Sequence, residues 1–165
     1  MPTYKKGEKG KYQLVVDKLK WQALKQKLKS LTRKTRPAGF DERIHEINLV
    51  IRGWVNYFKM ASIRQKLKSL DEWLRNRLRY CVWHDWKKPE RKKKNLIRLG
   101  VRPDQAYAWS RTRLGGWRVA QSPILGTTIT IKRLERKGYF SMMKYYQKVS
   151  IINEPPYTRS VRTVV

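Results

Sequence analysis

Residues 48–59 read Asn-Leu-Val-Ile-Arg-Gly-Trp-Val-Asn-Tyr-Phe-Lys. Wound at about 100° per residue, this stretch and the residues before it place Ile44, Ile47, Ile51, Trp54, Val55 and Phe58 in one apolar stripe. Val50, Gly53 and Tyr57 form a second stripe on the far side, so the helix is expected to be buried on two sides. Gly53 costs about 1 kcal/mol of helix propensity relative to alanine, which implies that a neighbouring element approaches the backbone there. Between the stripes runs a polar edge of Asn48, Arg52, Asn56 and Lys59, where a central helix can still reach a partner.

Outward from this helix the charge dominates. Forty Lys and Arg against twelve Asp and Glu give a net charge of +28 over 165 residues. Self-repulsion on that scale opposes compaction, so a polyanionic partner is expected, and a nucleic acid is the first choice. Seven tryptophans argue for a folded domain with a core, and against a disordered basic tail. The aromatics are spread along the chain, not gathered on one amphipathic segment, and no apolar run approaches 18 residues, so no membrane association is expected. A single cysteine, Cys81, excludes an internal disulfide framework and fits a reducing, cytoplasmic setting.

The flanking segments read as helices with short breaks. Residues 11–16 suit a short strand, and residues 1–10 a mobile segment or one arm of a hairpin. Asp17 is placed to cap a helix whose inner face is Trp21, Leu24, Leu28 and Leu31. Pro37 disfavours helix at Arg36 and ends that element by then. The central helix opens at 39–41 and breaks near 60–63. A long third helix, about 65–86, turns Leu70, Leu74, Leu78 and Cys81 inward. Arg77 falls near that inner face and requires an acceptor, either a carboxylate or backbone carbonyls. Arg75 and Arg79 are expected to point away from the core. Pro89 is expected to mark the end of the long helix within the cationic run 87–94. Short pieces follow: one turn over 95–99, a helix over 103–110, a turn at 115–118, a helix from Pro123 to about Arg136, a last helix over 141–146 and an extended tail from Asn153.

Sites for covalent chemistry are hard to assemble. Cys81 and His84 stand three apart on a helix with no second ligand pair, so a core thiol and a surface imidazole are preferred to a metal site. No Ser/His/acid pattern, paired aspartates or glycine-rich phosphate loop is present, and neither cofactor nor catalytic residue is expected. The cations are more telling. One lysine run is ordinarily solvated surface, but several runs with almost no acid between them point to phosphate binding. By charge and position the candidate RNA contacts are Arg33, Lys34, Arg36, Arg52, Lys59, Arg64, Lys66, Lys68, Arg75, Arg79, Lys87, Lys88, Arg91, Lys92, Lys93, Lys94, Arg111, Arg113, Trp117 and Arg118. Trp83, Trp86 and Trp117 lie beside cations and are candidates for stacking on exposed bases, against the plainer reading of core packing. Asn48 has a plainer role as a brace across the bundle. For Arg52 that role is pairing with Asp71 or Glu72.

Arg36-Pro37-Ala38-Gly39-Phe40, Ile47-Asn48 and Arg52-Gly53-Trp54-Val55-Asn56-Tyr57-Phe58 together resemble the maturase-specific domain (domain X) of group II intron-encoded proteins. Leu70-Asp71-Glu72-Trp73-Leu74-Arg75, Arg77-Leu78-Arg79 and Trp83 through Lys88 follow at that family's spacing. Leu99-Gly100-Val101, Ala106 and Gly116-Trp117-Arg118 resemble its bacterial continuation, so the likeness covers about residues 12–150. The resemblance implies a mainly α, thumb-like helical bundle with a short N-terminal strand or hairpin and a C-terminal set of short helices. It divides the chain into a palm-to-thumb joint (1–16), a thumb and maturase bundle (17–88), a basic extension (89–150) and a tail (151–165). It also implies binding to group II intron RNA, stabilisation of the active intron fold during splicing, and a grip on target DNA or an RNA–DNA duplex. The Tyr-Ala-Asp-Asp motif of the polymerase palm is absent, so no enzymatic activity is expected of the chain by itself. Two alternatives stand beside this reading: a fragment or subunit of a reverse transcriptase, and a generic basic DNA- or RNA-binding protein unrelated to introns.

Overall fold

The computed structural model describes residues 2–4 and 12–152, and these are mainly helical. Two three-residue strands, β1 (Pro2–Tyr4) and β2 (Tyr12–Leu14), pair antiparallel. The Ser62 amide donates to the Leu14 carbonyl at 3.0 Å and ties this end of the chain to the bundle. Lys11 and the expected tail from Asn153 lie outside the described residues.

Three long helices carry the N-terminal half: α1 (Lys18–Leu31), α2 (Phe40–Phe58) and α3 (Arg64–Asp85). Asp17 caps α1 by accepting from the Leu19 amide, and Leu24, Leu28 and Leu31 are buried. The first stripe of α2 is inside: Ile44, Ile47, Ile51 and Val55 are buried, and Trp54 packs at 4.5 Å between the rings of Trp21 and Phe58. The second stripe is inside only at Val50, which is half-buried against the core. Tyr57 is 80% exposed, and a Cβ at Gly53 would meet nothing within 4 Å. The packed partners of α2 leave that side open, so Gly53 answers to no close approach.

Helix α3 is the hub. It packs on α1, on α6 (Gly116–Gln121) and on α9 (Met142–Ile152). Its inward residues Leu67, Leu70, Leu74, Leu78 and Cys81 are all buried. The C-terminal half departs from expectation in four places. Pro89 begins a helix, α4 (Pro89–Arg98), because a proline in the first turn gives up only an amide that had no intrahelical partner. The cationic run is therefore mostly helical, and the expected single turn at 95–99 is only its end. Residues 115–118 open α6 and are not a turn. The expected helix from 123 to 136 is two, α7 (Pro123–Thr128) and α8 (Ile131–Arg136). They part where Thr130 leaves helical geometry to cap the Arg133 amide. The last helix runs on to Ile152. Between α4 and α6 in the chain lies α5 (Pro103–Ser110), which packs on α4.

The segment from Gly138 to Tyr146 is stitched onto α2 and α3 by polar side chains. Asn48 donates to the Gly138 carbonyl at 2.7 Å and accepts from the Phe140 amide at 3.2 Å. Tyr145 donates to the Asn56 side chain at 3.1 Å, and Tyr146 to the Ala61 carbonyl at 3.0 Å. The polar edge of α2 thus meets the chain's own C-terminal segment, and Asn48 is the brace of the plainer reading. Arg52 takes neither Asp71 nor Glu72; its guanidinium lies 4.8 Å from the centre of the Phe140 ring. Asp71 is occupied instead by Tyr139 and Ser141, whose hydroxyls both donate to it, and by the Met142 amide at 3.2 Å.

Burial and the Asp71 carboxylate push the Tyr139 phenol well above its ordinary value. An unfolded tyrosine ionises near pH 10 and the folded one does not, so the folded chain holds the extra proton there. Stability is intact below about pH 10 and falls as pH rises above it, by up to about 1.4 kcal/mol per pH unit. Urea midpoints measured from about pH 9 to 11 should fall more steeply for the native chain than for Tyr139→Phe. Parallel curves would show that the phenol is not held neutral.

Candidate nucleic-acid interface

The twelve acidic residues do little to neutralise the surface. Asp71 is buried, and Glu46, Glu90, Asp104 and Glu135 each pair with a cation of the same chain. The large excess of lysine and arginine is left facing outward.

The expected contact residues divide into those held by the fold and those presented to solvent. Arg36 pairs with Glu46 at 2.5 Å, and Arg111 pairs with Glu90 and covers the Tyr107 ring at 3.9 Å. Arg75 and Arg79 do not point away from the core. Arg75 is half-buried with its guanidinium 3.7 Å from Asp71. Arg79 donates to the Ile129 carbonyl and to the Asn76 side chain, both at 2.9 Å, and burial lowers its pKa, helped by neighbouring Arg75. Both serve the packing of α3 against the later helices. Trp117 is half-buried, edge-on to Tyr80 at 6.2 Å. Trp83 is only 4% exposed and Trp86 is buried beside it, so neither offers a face to a base. Lys59 is half-buried at the end of α2. Arg33, Lys34, Arg52, Arg64, Lys66, Lys68, Lys87, Lys88, Arg91, Lys94, Arg113 and Arg118 are exposed, and Lys92 and Lys93 are half-buried.

Two of these groups converge. An open cleft of about 370 Å³ lies between the linker after α1, the end of α3 and the start of α6. Lys34, Lys87, Lys92 and His84 line it together with Tyr80, Trp83 and Gly116, and no carboxylate does. Lys92 Nζ lies 4.4 Å from the centre of the Trp83 ring, and partial burial lowers its pKa. A second groove of about 340 Å³, between α1 and α3, sets Lys18, Lys25 and Lys66 around Trp21 and Trp73. Lys66 Nζ is 5.6 Å from the Trp21 ring and Lys25 Nζ 5.2 Å from the Trp73 ring. Lys18 and Lys25 were not among the expected contacts. Their spacing from Trp21 by three and four positions is the signal that identifies them.

The linker that carries Lys34 is held from below by two arginines. Arg43, 1% exposed, donates to the carbonyls of Arg33 and Arg36 at 2.8 Å and of Ala38 at 3.2 Å. Arg77 finds its acceptors on Thr32, at 3.1 Å to the hydroxyl and 3.0 Å to the carbonyl. Cys81 is buried, bonded to the Thr32 carbonyl and to Arg43, and burial raises its pKa, so it is a core thiol and His84 an exposed imidazole. Among the described residues no group of His, Cys, Asp and Glu gathers as a metal site, and no helix is long and apolar enough to cross a membrane.

No curated protein matches the chain. Residues 21–100, from the first turn of α1 to the glycine that ends α4, match the family described as the group II intron, maturase-specific domain. The match contains the α1–α3 bundle, the arginine-braced linker and the lysine run that feeds the cleft. Over residues 21–100 the chain carries the group II intron maturase-specific domain.

Proposed function

We propose that this chain is an RNA-binding module of a group II intron maturase, which stabilises the active fold of its intron RNA and so assists splicing without covalent chemistry of its own. The observation that carries this reading is the family match over 21–100, joined to a net charge of +28 that the twelve acids leave unbalanced. Exposed cations neutralise phosphates where RNA helices crowd together, and the rigid bundle fixes which RNA surfaces meet. Joined to a polymerase palm, the same α1–α3 bundle would act as the thumb that grips a template–primer duplex or target DNA.

The test is binding of the purified chain to a group II intron RNA from the same source, with excess unrelated structured RNA as competitor. If about 6–10 phosphates are contacted, affinity should fall about 10³–10⁵-fold between roughly 50 and 200 mM salt. Salt-sensitive binding that survives the competitor supports intron recognition by this chain itself. Complete displacement by the competitor would leave a generic basic binder, and a salt slope near zero would end the proposal.

A further inference from the structure

Three helices of this chain end in the same way. After the last residues of α3, α4 and α8 the backbone turns through positive φ: 44° at Lys87, 100° at Gly100 and 94° at Gly138. Two of the three positions carry glycine, which adopts that conformation freely. Lys87 is the only non-glycine at positive φ among the described residues, and its Cβ makes the conformation costly. Nothing in the packing asks for a lysine, since the residue is exposed. What distinguishes it is its position on the wall of the cleft that Lys34 and Lys92 share. Such strain persists where a side chain is needed at one spot.

We propose that Lys34, Lys87 and Lys92 form one phosphate-binding cleft that takes a phosphodiester group of an RNA strand, and that Lys87 is kept at a strained helix end to complete it. The inference rests on the RNA-binding reading above and deepens it. The three ammonium groups come from the linker, the end of α3 and α4, so one anion can satisfy charges that otherwise repel. The partial burial that lowers the pKa of Lys92 marks a site already short of water, which an anion would compensate. Trp83 is covered by Lys92 and sunk in the core, so the cleft holds the backbone of the strand without reading a base.

The test uses the full chain, a group II intron RNA and five proteins: native, Lys87→Gly, Lys34→Gln, the double variant of these two and, as a control, Lys27→Gln on the exposed face of α1. Lys87→Gly should melt at the native temperature or above it, because glycine suits the backbone there. It should nevertheless lose about one unit of the slope of log affinity against log salt, which is about tenfold weaker binding at roughly 0.1 M salt. Lys34→Gln should lose a similar amount. The double variant should lose little more than either single one, because one phosphate is shared. Lys27→Gln should change the slope far less. Native-like binding by Lys87→Gly and Lys34→Gln, or an equal loss in the control, overturns the cleft while leaving RNA binding intact. A lowered melting temperature for Lys87→Gly also overturns it, since the side chain would then serve the fold. Absence of salt-dependent binding by the native chain removes the RNA-binding reading, and the cleft with it.

Discussion

Replacing Asp71 with alanine is expected to destabilise the chain by about 3–5 kcal/mol, the range for breaking a buried charged network from one side. Asp71 is 2% exposed and accepts from the hydroxyls of Tyr139 and Ser141 and from the Met142 amide. It stands 3.7 Å from the half-buried Arg75. Hydrogen bonds to a charged group contribute about 1.5–3 kcal/mol each, and the orphaned donors would lie where water cannot serve them. The Met142 amide belongs to the first turn of α9, so the carboxylate also caps that helix from another element. Urea denaturation followed by circular dichroism would measure the loss. A variant within about 0.5 kcal/mol of native, the range of ordinary surface changes, would show that α9 is held by apolar packing alone.

The second large effect is expected at Arg43. Arg43→Met keeps much of the side-chain volume and removes the guanidinium, leaving the carbonyls of Arg33, Arg36 and Ala38 without their donor. A loss of about 3–5 kcal/mol is expected, with the linker 32–38 loosened before the helices. Hydrogen exchange would locate the change. The Cys81 thiol is a second reporter. It bonds to the Thr32 carbonyl and to Arg43 itself, so it should become reactive toward a thiol reagent in the variant. Native stability with an unreactive thiol would mean that Arg77, through Thr32, braces the linker unaided.

The N-terminal bundle was legible because its signal is local. Ile44, Ile47, Ile51 and Val55 repeat at helical spacing, and so do Leu24, Leu28 and Leu31; all are buried. What failed had its cause elsewhere in the chain. Arg43 lies on the buried stripe, four positions before Ile47, but its charge argued for the surface until the three carbonyls of the linker were in place. The Ile129 carbonyl that accepts from Arg79 and the donors to Asp71 come from residues 50 or more positions away. Gly53 and Tyr57 were read as buried because an apolar residue carries no mark of which side its neighbours occupy. In the C-terminal third, helices of six to eleven residues are too short for periodicity to separate them, and a proline that follows one helix carries no mark that it also starts the next, as Pro89 does between α3 and α4. Of the candidate interface, charge was legible and convergence was not. Nothing in the order of residues says that Lys34 and Lys87 meet Lys92 on one cleft.

The Asp71 clamp also sets a schedule. Its carboxylate precedes Ser141 by 70 positions. At a synthesis rate of about 5–20 residues per second, roughly 4–14 s pass before the hydroxyls and amide that cover it exist. For the last roughly 2–8 s of that interval, once residue 100 has been made, the nascent chain holds the whole segment that matches the family, with the α9-facing side of α3 bare. A ribosome that stalls before Tyr139 would release an intact signature on an unfinished fold, and quality control would sense the uncovered side of α3.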